Sequence, residues 1–531
     1  MTAHALCIHG HFYQPPRENP WTGVIDEQPS AAPFHDWNER ITDECYRANA
    51  NARIMAGLGL PDRTIANYAY MSFNFGPTLL SYLAREQRDV YQALLVADRQ
   101  GAERFGGHGP AIAQSYSHAI LPLASARDRR TEIRWGLRDF ELRFGRRSEG
   151  MWLPEAAVDT PTLEALVDEG VRFVILAERQ AAQIRTKGSP AGSKGDSPLK
   201  DLRGEIDEWK QVGATAGVLD TRQPYLVRLP SGRSIAAFFY DGGLAHDVAF
   251  GDALGDGARF LRTLEAAAAG DHSSEPRLVH FATDGETFGH HHHFADMGLA
   301  WILESAGLGR SELGLTVYAK WLDEHPPAME ARLHERSSWS CIHGVERWRS
   351  DCGCHGGRRS NGCQLWRGPL REAFDDLRDQ LGGLFEREGA TLWKSPWDAR
   401  DAYADLLVSR TRKDETEFLR THGAADLKPR QRRRALELLE MQRHALLMYA
   451  SCAWFFDDLS DIEPLQGMAH AARAIELAGQ AGAEIEKRFV AVLGQVRGND
   501  GDVGDVLYRR VLAERRPGRL PSGGAASRKR P

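Results

Sequence analysis

Residues 278–294 read LVHFATDGETFGHHHHF and put two carboxylates beside a run of four histidines. The apolar residues Leu278, Val279, Phe281 and Ala282 give out into Thr283-Asp284-Gly285-Glu286, so a buried strand is expected to end on two acids with a glycine between them. A third acid, Glu155, follows Trp152 and Pro154 in SEGMWLPEAAVD, a loop just ahead of a helix. Carboxylates on two such loops suit glycosidic bond cleavage with retention, in which one attacks and the other first donates and then removes a proton. Asp284 and Glu286 compete for the second role, and their spacing does not choose between them, because side-chain directions are free once a glycine marks the turn.

Histidines surround this pair in the sequence. His9 and His11 stand i, i+2 at the end of a first strand (Ala5, Leu6, Cys7, Ile8) and point the same way, as metal ligands or as partners of sugar hydroxyls. His108 and His118 lie in GGHGPAIAQSYSHAILPL, and His290 opens the four-histidine run. The elements that must position these groups alternate. Strands are expected at 70–75, 171–176, 225–229 and 234–240, and helices after Pro77, over 131–144, and from Thr160 to Asp168 with Asp159 or Thr160 as cap. Asp241-Gly242-Gly243 reads as a loop able to approach a ligand closely. That alternation through about residue 325 argues for a parallel α/β barrel, whose active face is the C-terminal end of its strands.

Beyond 330 helical periodicity takes over, at 369–388, 399–408, 429–456 and 464–493, with Leu438, Met441, Ala445 and Met448 forming a core-facing stripe. The expected domains are a catalytic barrel over 1–330, a helical domain over 331–514, and a disordered tail over 515–531. The Lys, Gly, Ser and Pro content of 186–203 reads as a mobile lid or insertion.

Composition narrows the class. The 531 residues, 42% of them hydrophobic, can bury a large core, and a net charge of −6 supplies no basic field for nucleic acid. No apolar run is long enough to span a membrane, so a cytoplasmic protein is expected. Seven cysteines, four of them between Cys341 and Cys363, do not form a disulfide framework. Cys341, Cys352, Cys354 and Cys363 with His343 and His355 offer enough ligands for tetrahedral zinc, but C-x-C departs from the usual knuckle, and the expectation is no metal and no cofactor. The same segment is expected to form a lip of the cleft, with Trp339, Trp348 and Trp366 as candidates for stacking on sugars.

Four motifs in order, His-x-His near the N-terminus, Ser-His-Ala-Ile-Leu-Pro-Leu, Trp-Leu-Pro-Glu and Thr-Asp-Gly-Glu-x-Phe-Gly-His, resemble those of glycoside hydrolase family 57. The resemblance covers about the first 330 residues. It implies an incomplete (β/α)7 barrel followed by a helical domain, and α-glucan hydrolysis or transglycosylation on an oligosaccharide or polysaccharide. Glu155 matches the family's nucleophile and Asp284 its general acid/base; His9, His11 and His118 match substrate-contacting histidines, and Trp152 and His290 flank the matching acids. SWSCIHGVERWRSDCGCH and SCAWFFDD resemble a bacterial subgroup with a distinct C-terminal part. Two other readings compete: a metal-dependent carbohydrate deacetylase, with His9, His11 and the run 290–293 around a metal and Asp284 as base, and a glucan-binding protein without activity.

Overall fold

The computed structural model describes residues 4–55, 61–186, 209–213, 219–269, 275–356 and 362–516. The lid expected over 186–203 and the tail over 515–531 lie outside these residues, apart from Thr186, Arg515 and Arg516. Two compact units emerge: residues 4–14, 28–345 and 407–409 make the first, and 15–27, 346–406 and 410–516 the second. The chain divides at 345 rather than 330 because Met329–Leu333 is a strand of the first unit, paired to Pro224–Arg228 and to Ala181–Thr186.

Seven strands of the first unit concern the site: β1 (His4–Phe12), β2 (Ser72–Phe75), β3 (Ala113–Gln114), β4 (Met151–Trp152), β5 (Phe173–Ala177), β6 (Ser234–Tyr240) and β7 (Leu278–Asp284). All their pairings with one another are parallel. β1 pairs with β7 from Ala5↔Leu278 to His11↔Asp284, and with β2 from His9↔Ser72 to Phe12↔Phe75. β3 pairs with β4, and β5 with β6. Single bridges Phe73↔Ala111 and Gly150↔Phe173 join β2 to the approach of β3, and the approach of β4 to β5. The Asp241 N–H donates to the His280 carbonyl at 3.1 Å, linking the end of β6 to β7.

Period-two alternation then fixes what faces inward. Ala5, Cys7, Phe173, Ile175, Ala177, Ala236, Phe238, Tyr240, Leu278 and Ala282 share one buried cluster. His9 and His11 continue the β1 row and Asp284 the β7 row, so the polar groups stand at the C-terminal ends of apolar rows. β1 is buried from Ala5 to Phe12, as a parallel strand covered on both faces must be. Helices follow with local caps: Ser125 on Ala126–Phe144, Asp159 on Thr160–Asp168, and Asp241 on Gly242–Phe250, each side chain accepting a backbone N–H. Asp241 therefore begins a helix and is not part of an open ligand loop.

The second unit is helical. Its helices include Arg367–Gly389, Pro429–Leu447, Ile462–Leu477, Gly482–Leu493 and Gly504–Arg515. Leu438, Met441, Ala445 and Met448 are all buried, as the stripe requires. Among the described residues no helix is long and apolar enough to cross a membrane.

Candidate active site

β1 and β7 set the site. Their register puts His11 beside Asp284, the last residue of β7. The next residue, Gly285, has no room for a side chain: a Cβ there would meet the Phe12 ring at 2.2 Å. The chain turns at once into a 3-10 turn over Gly285–Thr287, and Glu286 swings into the protein. Its Oε1 accepts from the Tyr46 hydroxyl at 2.6 Å and from the Tyr13 N–H at 3.1 Å. Burial pushes the Glu286 carboxyl up to about 8, against the opposing effect of the Tyr46 hydrogen bond. Glu286 is thus a neutral, enclosed acid near pH 7, while Asp284 keeps a solvent-accessible side chain.

Asp284 is also raised, to about 7, first by the dense protein around it and then by the negative charge of Glu155. The two acids are therefore in electrostatic contact. Glu155 sits in the left-handed region, φ 58° and ψ 21°, with Ala156 following at φ 47°. A non-glycine residue persists there only when its surroundings hold it, and here they do. The Trp339 N–H donates to the Glu155 carbonyl at 2.9 Å. Ser340 Oγ at 2.8 Å and Trp339 Nε1 at 3.3 Å both donate to Glu155 Oε2. Val158 N–H donates to the Ser337 carbonyl at 3.0 Å, and Gln180 Nε2 to the Ala156 carbonyl at 2.8 Å. Arg179 anchors the other strand of this contact through the carbonyls of Ser338, at 3.1 Å, and Trp339.

The histidines form a hydrogen-bonded row whose tautomers follow from their partners. His9 Nε2 lies 3.1 Å from Asn74 Oδ1, an acceptor, so His9 donates there and its Nδ1 accepts from Ser72 Oγ at 2.9 Å. Asn74 Nδ2 then donates to His11 Nδ1 at 3.0 Å and to Gln114 Oε1 at 2.8 Å. That leaves His11 Nε2 as the donor to His118 Nε2, 3.1 Å away. Burial keeps the row uncharged: His9 and His11 are lowered to about 3, and His118 is well below the usual imidazole range. The rings also stack. His9 and His11 lie 5.0 and 4.9 Å from Trp152, and His118 stacks on Tyr13 at 3.7 Å. Trp339 meets Trp152 edge-on at 4.9 Å and Tyr240 at 6.4 Å.

The expected site residues do not all gather here. Glu155, Asp284, His9, His11, His118, Trp152 and Trp339 come together, whereas His290 is half-buried and pairs with Glu44 under the edge of Trp37. Trp348 belongs to the second unit and is fully buried, with no ring face open to a sugar; Trp366 is likewise enclosed. Cys341 is buried in the first unit, and Cys352, Cys354 and Cys363 belong to the second, the last of them exposed. Ser340, Ser72, Asn74 and Tyr240 were not among the expected residues. Ser72 and Asn74 alternate on β2 as His9 and His11 do on β1, which is the signal a closer reading of 70–75 carries; Ser340 gave none beyond its place next to Trp339.

Residues 107–324 match the model of glycosyl hydrolase family 57, a span that holds Glu155, Asp284 and His118. Over that stretch the chain is similar to glycosyl hydrolases of family 57. Residues 363–516 match a domain of unknown function, DUF3536. Among curated proteins no sequence matches the chain. Solved structures share the fold. An exo-type maltose-forming amylase from Pyrococcus sp. ST04 is 15% identical over 96% of this chain and 88% of its own, with a TM-score of 0.61. A family 57 branching enzyme from Pyrococcus horikoshii is 15% identical over 97% and 94%, with a TM-score of 0.53. The α-amylase AmyC from Thermotoga maritima is 13% identical over 96% and 99%, with a TM-score of 0.52.

Proposed function

We propose that this protein cleaves or transfers α-glucan chains, maltodextrin or glycogen-like, by a retaining mechanism with Glu155 as nucleophile and Asp284 as general acid/base. The observation that carries the reading is Asp284 at the mouth of β7, reachable from solvent yet raised to about 7 by its enclosure and by Glu155. A glycosidase acid must hold its proton at neutral pH, and its partner must not. Seven parallel strands linked by the bridges described above support an incomplete (β/α)7 barrel as the frame, with both acids at the C-terminal ends of its strands. The neighbours of like fold, an amylase and a branching enzyme among them, support the substrate class.

In the first step a Glu155 oxygen bonds to the anomeric carbon as the bond to the leaving oxygen breaks, and that oxygen takes the proton of Asp284. The glycosyl-enzyme ester removes the charge on Glu155, which lowers the affinity of Asp284 for a proton and readies it as a base. Water or an acceptor hydroxyl then gives its proton to Asp284 and its oxygen to the anomeric carbon, freeing Glu155. Both ring nitrogens of His9 and of His11 face protein partners at the distances given above, so the row walls the site without charge and without free ligand atoms, which favours this reading over a metal-centred deacetylase. Turnover of maltooligosaccharides and glycogen, with product lengths and anomeric configuration followed by NMR, tests it. Retained configuration is expected; inverted product, or an active Glu155→Gln protein, would overturn it.

A further inference from the structure

The helical unit holds a pocket of about 830 Å³ whose lining is rich in arginine, although the chain as a whole carries a net charge of −6. Six arginines and three glutamates border it. The glutamates are already engaged. Glu415 and Glu440 pair with Arg410 at 2.7 and 2.8 Å, Glu440 also takes Arg443 at 3.1 Å, and Glu437 faces Arg434 at 3.5 Å. Three exposed guanidiniums, Arg412, Arg432 and Arg433, have no carboxylate partner among the described residues; Arg432 gives only its Nε, to the Leu427 carbonyl at 2.9 Å. Arg473 pairs with Glu476 at 2.8 Å through Nη1, while its buried Nε has no partner among the described residues.

A buried histidine completes the lining, and its hydrogen bonds make it a donor. Arg515 donates to Gln466 Oε1, which identifies the other amide atom as nitrogen, and that Nε2 donates to the Glu18 carbonyl at 2.8 Å. The same Nε2 lies 3.3 Å from His470 Nε2, which must accept. His470 then carries its proton on Nδ1 and donates to His444 Nδ1 at 3.0 Å. His444, 5% exposed, is left with its N–H on Nε2, and it lines the pocket. The free polar groups met there are therefore donors and cations, the complement of an oxyanion. Trp21 adds an aromatic wall, its Nε1 fixed on Glu476 Oε2 at 2.8 Å.

We propose that this pocket binds a small organic phosphate, a nucleotide or a sugar phosphate, with the phosphoryl oxygens on Arg412, Arg433 and the His444 Nε2–H and the organic ring against Trp21. Its volume exceeds what inorganic phosphate needs and falls in the range of pockets for small ligands. The reading is independent of the glycosidase chemistry, which uses none of these residues.

Calorimetric titration of the full chain at about 0.15 M salt, where non-specific attraction is screened, tests the proposal with three probes: ATP, glucose 1-phosphate and inorganic phosphate. Saturable one-to-one binding of a phosphate ester is expected, tighter than that of inorganic phosphate, and the ester preferred tells nucleotide from sugar phosphate. Arg412→Ala and Arg433→Ala, both on the surface, should each weaken it about tenfold or more. His444→Leu should also weaken it. Arg420→Ala, an exposed arginine paired with Glu417 and outside the pocket, should leave it unchanged. No saturable binding of any probe, or an equal loss in Arg420→Ala and Arg433→Ala, would overturn the assignment.

Discussion

The general-acid role given to Asp284 has a measurable consequence above neutral pH. An aspartate at its ordinary value of 3.8 would be protonated in roughly one molecule in a thousand or two at pH 7, whereas one raised to about 7 is protonated in about half, a gain of nearly a thousandfold in the acid form. The rate on maltooligosaccharides, whose leaving group needs a proton, should therefore fall about tenfold for each pH unit above that midpoint. Two substitutions separate acid from nucleophile. Asp284→Asn should lower turnover of such substrates by about 10² to 10⁴, yet spare the first step for a glycosyl fluoride, which departs without a proton. Glu155→Gln should abolish both, and it should also lower the Asp284 midpoint, since the Glu155 charge is one of the two causes of its elevation. A pH–rate profile for each protein, with a carboxyl titration followed by NMR in the inactive Glu155→Gln chain, decides the matter. A profile flat to about pH 9, or an Asp284 midpoint unmoved by Glu155→Gln, would refute the coupling between the two acids.

Three further outcomes follow from other contacts. Ser340→Ala removes the 2.8 Å donor to Glu155 Oε2 and should lower kcat by about 10- to 100-fold with little change in KM or Tm, the size of a charge-assisted hydrogen bond; an equal rise in KM would place Ser340 in ground-state binding instead. Glu286 binds its proton more tightly folded than unfolded, 4.5 rising to about 8, so its contribution to stability is whole at acidic pH and is lost as pH rises through about 8. Glu286→Gln should remove that decline in urea melts across pH 5 to 9 while keeping turnover, and loss of turnover would return Glu286 to the list of acids. Leu438→Ala should destabilise the helical unit by about 2–5 kcal/mol in denaturant melts, because the side chain is fully buried.

How much of this was legible beforehand depended on how local the cause was. The strand ending on Asp284, the i, i+2 histidines of β1, the helix after Asp159 and the stripe on Pro429–Leu447 are all periodicity or capping signals within a few residues, and they stand in the structure. β3 and β4, two residues each, are too short to show a period. The different placement of Asp284 and Glu286 goes with the Phe12 ring lying against Gly285, a contact across more than 270 residues of chain. Asp241-Gly242-Gly243 looked like a loop because an aspartate before glycines marks turns and helix starts alike; Leu244 N–H donating to its side chain at 2.9 Å made it a cap.

Glu155 shows most clearly why sequence order understates this site. Holding a glutamate at φ 58° costs about 1–3 kcal/mol, and residues 337–340, some 180 positions later in the chain, supply the contacts that offset it: the Ser337 carbonyl, the Trp339 N–H and indole, and the Ser340 hydroxyl. The family 57 match stops at 324 and the DUF3536 match begins at 363, so the segment that aims the proposed nucleophile falls between them. Any change in residues 337–340 is thereby free to alter the angle at which Glu155 meets an anomeric carbon without touching either acid. Exchanging Trp339 for Phe keeps the backbone N–H on the Glu155 carbonyl but deletes the indole donor at 3.3 Å, and should lower glycosyl-enzyme formation by less than Ser340→Ala, whose donor at 2.8 Å is the shorter; a larger loss in Trp339→Phe than in Ser340→Ala would show that the indole does more than hold Glu155.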